Sequence, residues 1–330
     1  MKKDIYIFNG GRLVRKDNTL LFEGVEGKKY IPVNNIESIY IFGEVDINKS
    51  LLEFLCTNEI VLHFYNYYEY YVGSFYPREC LNSGFVTLKQ SEFYIDYGRR
   101  LFIAKQFIDG SSKNIIQVLR YYNSRNADLS QEIEEILQTL DLLSSQQTIE
   151  QAMAIEGNIR EKYYKCFNKI MNDKAFTYTS RTKRPPKDKI NSLISFGNSM
   201  LYTIVLSQIY QTNLDPRIGY LHSTNNRRFS LNLDLAEIFK PIIVDRTIFS
   251  AINKKIITAK DFNKDLGGII LKDEGRMKFV KELNDKLETT IKHPSLENKV
   301  SYKRLIRLEA YKLQKHITEG EVYEPFIARW

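Results

Sequence analysis

The chain has 330 residues, which is enough for two domains, and its 43% hydrophobic and 13% aromatic content excludes a disordered chain. Its three cysteines (Cys56, Cys80 and Cys166) are odd in number and far apart, which argues against a disulfide framework and a structural zinc site. The net charge of +8 is uneven, because residues 1–87 carry nine Lys and Arg against eleven Asp and Glu, whereas residues 88–330 carry 39 against 29. A basic region of this size favours a polyanionic partner, nucleic acid above all, with general solubility as the alternative explanation.

The first residues and the hydropathy of the chain indicate where the protein works. Asp4 lies where a signal peptide would need its apolar core. Charged or polar residues interrupt every long apolar run, so that none reaches the roughly 18 residues typical of a membrane-spanning helix. We therefore expect a soluble, cytoplasmic protein without a membrane partner.

The first 76 residues are typical of β structure. Short runs rich in β-branched and aromatic residues recur between turn-forming Gly, Asn and Asp, and we predict strands at 5–8, 20–22, 30–33, 36–41, 61–65 and 70–75. One helical segment at 50–56 lies between them. Together these elements predict a small sheet or sandwich.

Pro77 and Gly84 mark the expected linker, and helical periodicity dominates after it. Apolar residues recur at helical spacing in 88–172, 190–212, 230–257, 274–292 and 300–317. We therefore predict the α+β class, with a small N-terminal β-sandwich-like domain at 1–87 and a larger all-helical C-terminal domain at 88–330.

Glu156 is the first residue whose position indicates chemistry. At helical spacing it shares a face with apolar residues, namely Ile149, Ala152, Met153, Ile159 and Tyr163. This pattern predicts a carboxylate in the middle of an apolar stripe, where it needs a base, several donors or a metal as its partner. A plain ion pair with Arg160, one turn further along, is the alternative.

His222 and the acids that follow it add further candidate ligands. His222 comes after a turn bounded by Pro216 and Gly219, where its imidazole can face a metal, although lone histidines are commonly structural. Asp234 and Glu237 are three residues apart on a predicted helix, and their ordinary explanation is the helix dipole. We expect Asn232 to cap this helix and Pro241 to kink or stop it. Two acids and an imidazole would suit Mg²⁺ or Mn²⁺.

Basic residues surround these candidates in the sequence. Residues 181–189 carry five basic residues and one acid, together with two prolines, and therefore predict a loop that cradles phosphates or simply stays solvated. We predict three groups of DNA contacts: Lys183, Arg184 and Lys187 in this loop, Arg227 and Arg228 after His222, and a basic side of the last helix formed by Lys303, Arg304 and Arg307. A solvated helix face is the alternative for the last group.

These segments together resemble the CRISPR-associated endonuclease/integrase, the first of the core Cas proteins, over nearly the whole chain. The resemblance is carried by 156–164 (EGNIREKYY), 184–198 (RPPKDKINSLISFGN), 219–222 (GYLH) and 234–246 (DLAEIFKPIIVDR). The family also has an N-terminal β domain and a C-terminal helical domain, in agreement with the organisation predicted above.

The resemblance implies roles for the four candidate catalytic residues. Glu156, His222 and Glu237 fall on the metal-ligand positions of the family, and Asp234 falls on an additional acidic position. Glu237 stands where many members have Asp, so its longer side chain shifts the coordination geometry of the metal ion. Asn198 departs from the family as well, since many members have Tyr there. The implied cofactor is Mg²⁺ or Mn²⁺.

The resemblance also implies the reaction and the partners. A metal-dependent DNA integrase/endonuclease of CRISPR adaptation, here of a type I system, joins the 3′-hydroxyl ends of a prespacer to the repeat array by transesterification. The expected partners are double-stranded DNA, a second copy of the chain through the N-terminal domain, and a small ferredoxin-like second core Cas protein in a heterohexamer. A general metal-dependent nuclease and a non-catalytic DNA-binding scaffold remain the alternatives.

Overall fold

The computed structural model describes residues 2–68, 70–77, 81, 83–222, 229–265, 267–292 and 299–329. The chain forms two compact units, Met1–Leu81 and Asn82–Trp330. The predicted domain boundary at 87/88 falls within the first helix of the second unit, Gly84–Ile95. Cys56 and Cys166 carry free thiols, and Cys80 lies outside the described residues.

The first unit contains two four-stranded sheets. One has the order β1 (Lys3–Ile7), β5 (Ile36–Ile41), β7 (Val61–Tyr65) and β8 (Tyr71–Phe75), and its first three strands are parallel. The other has the order β4 (Gly27–Pro32), β3 (Thr19–Gly24), β2 (Gly11–Lys16) and β6 (Val45–Asp46). Helix α1 (Lys49–Thr57) begins where the side chain of Asn48 accepts a hydrogen bond from the amide of Leu51.

Both sheets and α1 contribute to one hydrophobic core. Leu13 and Leu20 come from one sheet, Ile39 and Leu62 come from the other, and Leu55 comes from α1; all five are fully buried. Several of these strands have consecutive buried residues, such as Ser38–Ile41 of β5 and Val61–His63 of β7, so both faces of the parallel sheet are covered there. This arrangement confirms the predicted β-sandwich-like domain.

The second unit is mainly helical. Its α-helices are α2 (Gly84–Ile95), α3 (Tyr97–Asn123), α4 (Ser130–Asp141), α5 (Ile149–Lys165), α6 (Phe167–Ile170), α7 (Lys189–Ile209), α8 (Leu231–Phe239), α9 (Arg246–Asn253), α10 (Asp273–Glu288) and α11 (Tyr302–Glu319). The long helix α3 packs against α4, α5 and α8, and α7 packs against α8 and α11. In the described ranges, no helix combines the length and the apolar character needed to cross a membrane.

Two short antiparallel hairpins add to this helical unit, and they were not predicted. They pair β9 (Phe262–Asp265) with β10 (Gly268–Leu271) and β11 (Thr290–Lys292) with β12 (Lys299–Ser301). The predicted α+β class, with a β domain followed by a larger helical domain, is nevertheless confirmed.

The predicted caps around α8 are only partly correct. Helix α8 starts at Leu231 with Ser230 at its N-cap, so the prediction that Asn232 caps it is wrong. Asn232 lies within the helix, and its side-chain amide donates to the carbonyl of Tyr202. Pro241 does not end the helical structure, because a π-helical turn over Pro241–Asp245 leads directly into α9. A widened turn tolerates proline, which has no N–H to donate.

Candidate active site

Helix α5 brings Glu156 to the edge of a buried face. The helix begins with a capping box between Thr148 and Gln151, and its face toward the core is lined by Ile149, Ala152, Ile155, Ile159 and Tyr163. The Glu156 side chain keeps 22% of its surface exposed, and Met153 is 38% exposed. The prediction that Glu156 lies in the middle of the apolar stripe is therefore wrong, and its carboxylate is open to solvent on one side.

Helix α8 presents the second pair of acids from a more protected position. The helix is enclosed on nearly all sides, since all its residues except Leu233 are buried. Asp234 is fully buried and Glu237 is 5% exposed. Buried carboxylates need full compensation by hydrogen bonds or charges, and the two acids find different kinds of partner.

Asp234 holds the loop that ends at His222. Its Oδ2 accepts hydrogen bonds from the amides of Tyr220 at 2.6 Å and Leu221 at 3.0 Å. Its Oδ1 accepts from the amide of His222 at 2.9 Å and from the ring Nδ1 of the same histidine at 2.8 Å. These four hydrogen bonds fix the orientation of the His222 ring and leave Nε2 as the ring nitrogen for other contacts.

Gly219 allows this loop to lie against the start of α8. A Cβ atom at Gly219 would lie 2.8 Å from Ser230 and 2.9 Å from the Oδ2 atom of Asp234, which is closer than a Cβ atom approaches other heavy atoms. The Gly219 amide donates a hydrogen bond to the Ser230 hydroxyl at 2.9 Å. The predicted turn before His222 is thus held at short range by α8.

The electrostatics of His222 follow from the same contacts. Burial of the ring lowers its pKa, but the hydrogen bond and the charge of Asp234, with a contribution from Glu237, raise it by more. The pKa of His222 therefore lies above its ordinary value. The contribution from Glu237 also indicates that the imidazole and this carboxylate lie within electrostatic range.

Arg160 connects the two glutamates. Its Nε donates to Glu156 at 2.6 Å, and its Nη2 donates to Glu237 at 2.5 Å. A weaker contact at 3.3 Å joins Nη2 to the hydroxyl of Ser111 on α3. Arg160 thus pairs with Glu156, as the alternative explanation predicted. It also binds Glu237, which lies 77 residues after Arg160 in the chain.

Glu237 has a second cation beside it. The Nζ atom of Lys240 lies 2.5 Å from its Oε1 and 4.8 Å from the ring centre of Tyr202. Burial would raise the pKa of Glu237, but the charges of Lys240, Arg160 and His222 hold it well below its usual range. Glu237 is therefore ionised at neutral pH despite its burial.

The predicted metal ligands fit a divalent cation in chemical type. In the described part of the chain, no three His, Cys, Asp or Glu side chains lie close enough together to hold a metal ion. The guanidinium of Arg160 lies between Glu156 and Glu237 and forms an ion pair with each of them. Two carboxylates that converge on one positive group, with an imidazole nearby, are a donor set that suits Mn²⁺ or Mg²⁺.

The predicted phosphate-cradling loop lies against the start of α7 and close to these acids. Arg181 donates to Asn191 at 2.8 Å and to Ser195 at 3.0 Å, and the amide of Ile269 on β10 donates to Pro186 at 2.7 Å. Burial lowers the pKa of Lys183, and so do the charges of Arg181 and Lys240, whereas Glu237 and Glu156 raise it. Lys183 therefore lies within electrostatic range of both glutamates.

The other predicted DNA contacts differ in their surroundings. Arg184 and Lys187 are exposed in the same loop, while Arg227 and Arg228 lie outside the described residues. The expected basic side of α11 is wrong, because Lys303 is 6% exposed and the guanidinium of Arg307 donates to Gln208 on α7 at 2.9 Å. Only Arg304 of these three is exposed. Arg307 faces α7, a contact that periodicity alone does not reveal.

Two residues near this site were not predicted to have a role. Lys240 was missed, although its spacing of three from Glu237 on a helix is a recognisable pairing signal. Asp245 ends the π-helical turn and is 1% exposed. Its burial raises its pKa to about 7, against the charges of Arg160 and Lys240. No signal in the sequence separates Asp245 from an ordinary surface acid.

The chain has clear relatives. Residues 5–285 match the model of the family described as CRISPR associated protein Cas1. The CRISPR-associated endonuclease Cas1 2 of Thermodesulfovibrio yellowstonii is 55% identical over 330 residues, covering 100% of both chains. The solved structure of a Cas1 protein from Thermotoga maritima has a TM-score of 0.87 at 45% identity, covering 98% of this chain and 99% of that one. A casposase bound to integration product shares the fold, with a TM-score of 0.88 at 22% identity and a coverage of 99% and 96%. The chain therefore belongs to the Cas1 family of CRISPR-associated proteins.

Proposed function

We propose that this protein is a metal-dependent DNA endonuclease and integrase of CRISPR adaptation, which joins prespacer 3′-hydroxyl ends to a repeat array. Its relatives in Thermodesulfovibrio yellowstonii and Thermotoga maritima carry the name CRISPR-associated endonuclease. The observation that carries the proposal is that Glu156 and Glu237, from two different helices, share one cation beside His222. Lys183 and Lys240 add positive charge at the same place.

Glu156, His222 and Glu237 are the residues that would hold Mg²⁺ or Mn²⁺. The chemistry that such an ion supplies when bound is polarisation of a phosphoryl oxygen and stabilisation of the leaving 3′-oxygen. Asp234 orients the His222 ring, since both of its carboxylate oxygens are occupied by the loop. We therefore assign Asp234 as a positioning residue rather than a ligand.

The basic side chains supply charge neutralisation. Lys183 is exposed and lies in the field of both glutamates, so a phosphodiester at the site would lie next to its ammonium group. Arg160 adds a further positive charge between the two glutamates, and its buried Nη1 has no hydrogen-bond partner among the described residues. The attacking 3′-hydroxyl comes from the DNA, so the protein needs no nucleophile of its own and acts through placement and charge.

The proposed partners follow from the family and from the charge of the second unit. We propose a homodimer formed through the N-terminal domain at 1–87, with a C-terminal catalytic domain at 88–330. The dimer would combine with the small ferredoxin-like second core Cas protein in a heterohexamer that binds double-stranded DNA. We further propose that the system is of type I and that the protein works in the cytoplasm, where a repeat array lies. A neighbouring repeat array with genes of a type I effector would support the narrower assignment.

A strand-transfer assay with the variant Glu156→Gln tests the proposal. With Mn²⁺ or Mg²⁺ and the small partner, we expect the joining of a labelled DNA end to a repeat plasmid to fall by about two orders of magnitude or more. DNA affinity should stay nearly unchanged, since the variant loses a carboxylate and not a phosphate contact. Glu150→Gln changes an exposed acid of the same helix and should join DNA normally.

The products of the same assay separate the alternatives. Cleaved but unjoined DNA would indicate a general nuclease instead of an integrase. DNA binding without any metal-dependent reaction would indicate a scaffold. Normal joining by Glu156→Gln would refute the assignment of this site.

A further inference from the structure

The loop at 181–189 carries a charge whose position matters for the candidate active site. Lys183 is exposed in this loop and lies within electrostatic range of Glu156 and Glu237. A lysine side chain is long and flexible, so the position of its ammonium group depends on how firmly the backbone beneath it is held. The contacts that hold the loop therefore determine where this charge lies.

Asn191, in the first turn of α7, is fully buried and provides the first anchor of the loop. Its Oδ1 accepts hydrogen bonds from the amide of Thr182 at 3.1 Å and from the guanidinium of Arg181 at 2.8 Å. Its Nδ2 donates to the carbonyl of Ser180 at 2.8 Å and to the carboxylate of Asp188. These are all four hydrogen bonds that an asparagine amide can make, and they join both ends of the loop to one side chain.

Thr182 closes the loop from within. Its Oγ1 accepts a hydrogen bond from the amide of Lys187 at 3.0 Å, so the residues between these two form a closed turn. Lys183 is the first residue of that turn. Because the amide of Thr182 is itself bonded to Asn191, the backbone is fixed one residue before Lys183.

The hairpin of β9 and β10 provides the second anchor. The amide of Ile269 donates to the carbonyl of Pro186 at 2.7 Å, and Pro186 is buried. A Cβ atom at Gly268 would lie 2.5 Å from the Cβ atom of Pro185 and 3.0 Å from the carbonyl oxygen of Pro186. A residue without a side chain therefore lets the hairpin come close enough for the hydrogen bond of its neighbour, Ile269.

The two anchors distinguish a preformed phosphate site from a loop that is merely solvated. A solvated basic loop gains nothing from a buried asparagine whose hydrogen bonds are all made, or from a glycine that lies against two prolines. Such contacts fix a shape, and a charge that is already fixed needs no ordering when an anion binds. The charge that this shape presents to the two glutamates is that of Lys183.

We propose that Asn191 and Gly268 are positioning residues, which hold the loop at 181–189 so that Lys183 meets the phosphodiester beside Glu156 and Glu237. This inference rests on the proposed function and adds to it the residues that preorganise one of its charges. Asn191 is fully buried, so it acts through Lys183 and not on the substrate.

A double-mutant cycle of Asn191 and Lys183 tests the inference. Asn191→Ala, Lys183→Gln and the double variant are compared in the strand-transfer assay with Mn²⁺ and the small partner. We expect Asn191→Ala alone to slow joining about 10- to 100-fold, because a misplacement of about 1 Å has an effect of this size. In the Lys183→Gln background the same substitution should change the rate by less than about threefold, since the residue that it positions is already gone.

Asn253 provides a matched control. Like Asn191, it accepts a hydrogen bond from a loop amide, that of Asn172 at 3.1 Å, and donates to the carbonyl two residues earlier, that of Ile170 at 3.1 Å. The loop that it holds contains none of the candidate site residues. Asn253→Ala should therefore lower Tm as the loss of any such anchor does, and it should join DNA normally at a temperature well below that Tm.

Gly268→Ala tests the second anchor and serves alone if Asn191→Ala does not fold. The added methyl group would meet Pro185, so joining should slow, and again only where Lys183 is present. Binding of fluorescein-labelled duplex DNA gives a readout that needs no joining. The slope of log Kd against log salt should fall by about 0.9 in Lys183→Gln and in either anchor variant, and no further in the double variants.

The inference is overturned if an anchor variant slows joining by the same factor with and without Lys183, or if both anchor variants join and bind DNA as Asn253→Ala does. If the unsubstituted protein joins DNA in that experiment, the proposed function stands and only the two assignments are lost. If it binds DNA without joining it, the integrase assignment fails and the salt slopes decide the inference. If it binds no DNA, both fail.

Discussion

At the scale of single residues, Arg160 offsets the repulsion between the two glutamates of the candidate active site. It contacts Glu156 at 2.6 Å and Glu237 at 2.5 Å, so a charge of the chain itself stabilises both carboxylates. A divalent cation held by the same acids would supply the same compensation with a larger charge. We therefore expect Arg160 and the metal ion to compete for Glu156 and Glu237.

The variant Arg160→Gln tests this competition. Without metal it leaves two carboxylates without their shared cation, and we expect a loss of about 3 kcal/mol in the free energy of unfolding. Added Mn²⁺ should then raise Tm by more in the variant than in the unsubstituted protein, as measured by thermal unfolding with and without the ion. Arg99→Gln removes an exposed ion pair and should change neither quantity appreciably. An equal Mn²⁺ response in both proteins would contradict the prediction.

The positioning role of Asp234 makes a second prediction. An asparagine there offers one acceptor oxygen and no charge, whereas Asp234 accepts four hydrogen bonds from the 220–222 loop. In Asp234→Asn we expect a lower pKa for His222, because Asp234 raises it. An NMR titration of the ring without metal measures this shift, and joining should fall about 10- to 100-fold. An unchanged pKa would show that the ring does not depend on Asp234.

Sequence spacing predicted part of this site. The pairing of Glu156 with Arg160 follows from their separation of four on a helix, and the shared face of Asp234 and Glu237 follows from a separation of three. The bridge from Arg160 to Glu237 spans 77 residues, so it depends on how α5 and α8 pack. Periodicity within one helix contains no information about that packing.

At the scale of elements, α10 carries a lysine whose charge opposes folding. The pKa of Lys286 is about 7 in the folded protein, because burial and the charge of Arg246 lower it from 10.5. Between these two values the unfolded chain binds more protons than the folded one. The contribution of Lys286 to the free energy of unfolding therefore rises as the pH increases from about 7 toward 10.5. It is lost as the pH falls through that window.

We expect Lys286→Met to remove this dependence. At pH 7 the variant should melt at a higher temperature than the unsubstituted protein, and the difference should shrink as the pH approaches 10. Thermal unfolding at a series of pH values measures both effects. Lys281→Met, on the same helix but exposed, provides the comparison and should follow the unsubstituted protein. A constant difference across the series would be inconsistent with the lowered pKa.

The elements themselves were predictable to different degrees. Strands with alternating or continuous apolar runs, such as β5 and β7, were predicted within one or two residues. Strand β2 was missed, because only Leu13 of its six residues is buried and basic residues surround it. The exposed basic side expected on α11 was wrong, since Arg307 binds Gln208 of α7. A single helix shows which residues share a face, but not which neighbour that face meets.

At the scale of the whole molecule, the two units carry charges of opposite sign. Residues 1–81 hold nine Lys and Arg against eleven Asp and Glu, and residues 82–330 hold 39 against 29. The uneven charge was evident from the sequence, and the boundary between the two units separates the acidic part of the chain from the basic part. Attraction of DNA should therefore arise from the second unit.

The affinity of the protein for duplex DNA should consequently depend strongly on salt. Several phosphate contacts release several counterions, and we expect log Kd to rise linearly with log salt with a slope of about 0.9 for each contact. Fluorescence anisotropy over a range of salt concentrations measures the slope. A value near zero would mean that the basic surface of the second unit does not contact phosphates.

The close approach at Gly219 affects how any mutational scan of this protein should be interpreted. Gly219 contacts no DNA in the proposed mechanism, yet a methyl group there would meet Ser230 and Asp234 and displace the loop that carries His222. A scan that scores activity alone would rank Gly219 with the ligands themselves. Its intolerance would reflect the space available between two backbones, and a fold-sensitive readout would be needed to tell the two causes apart.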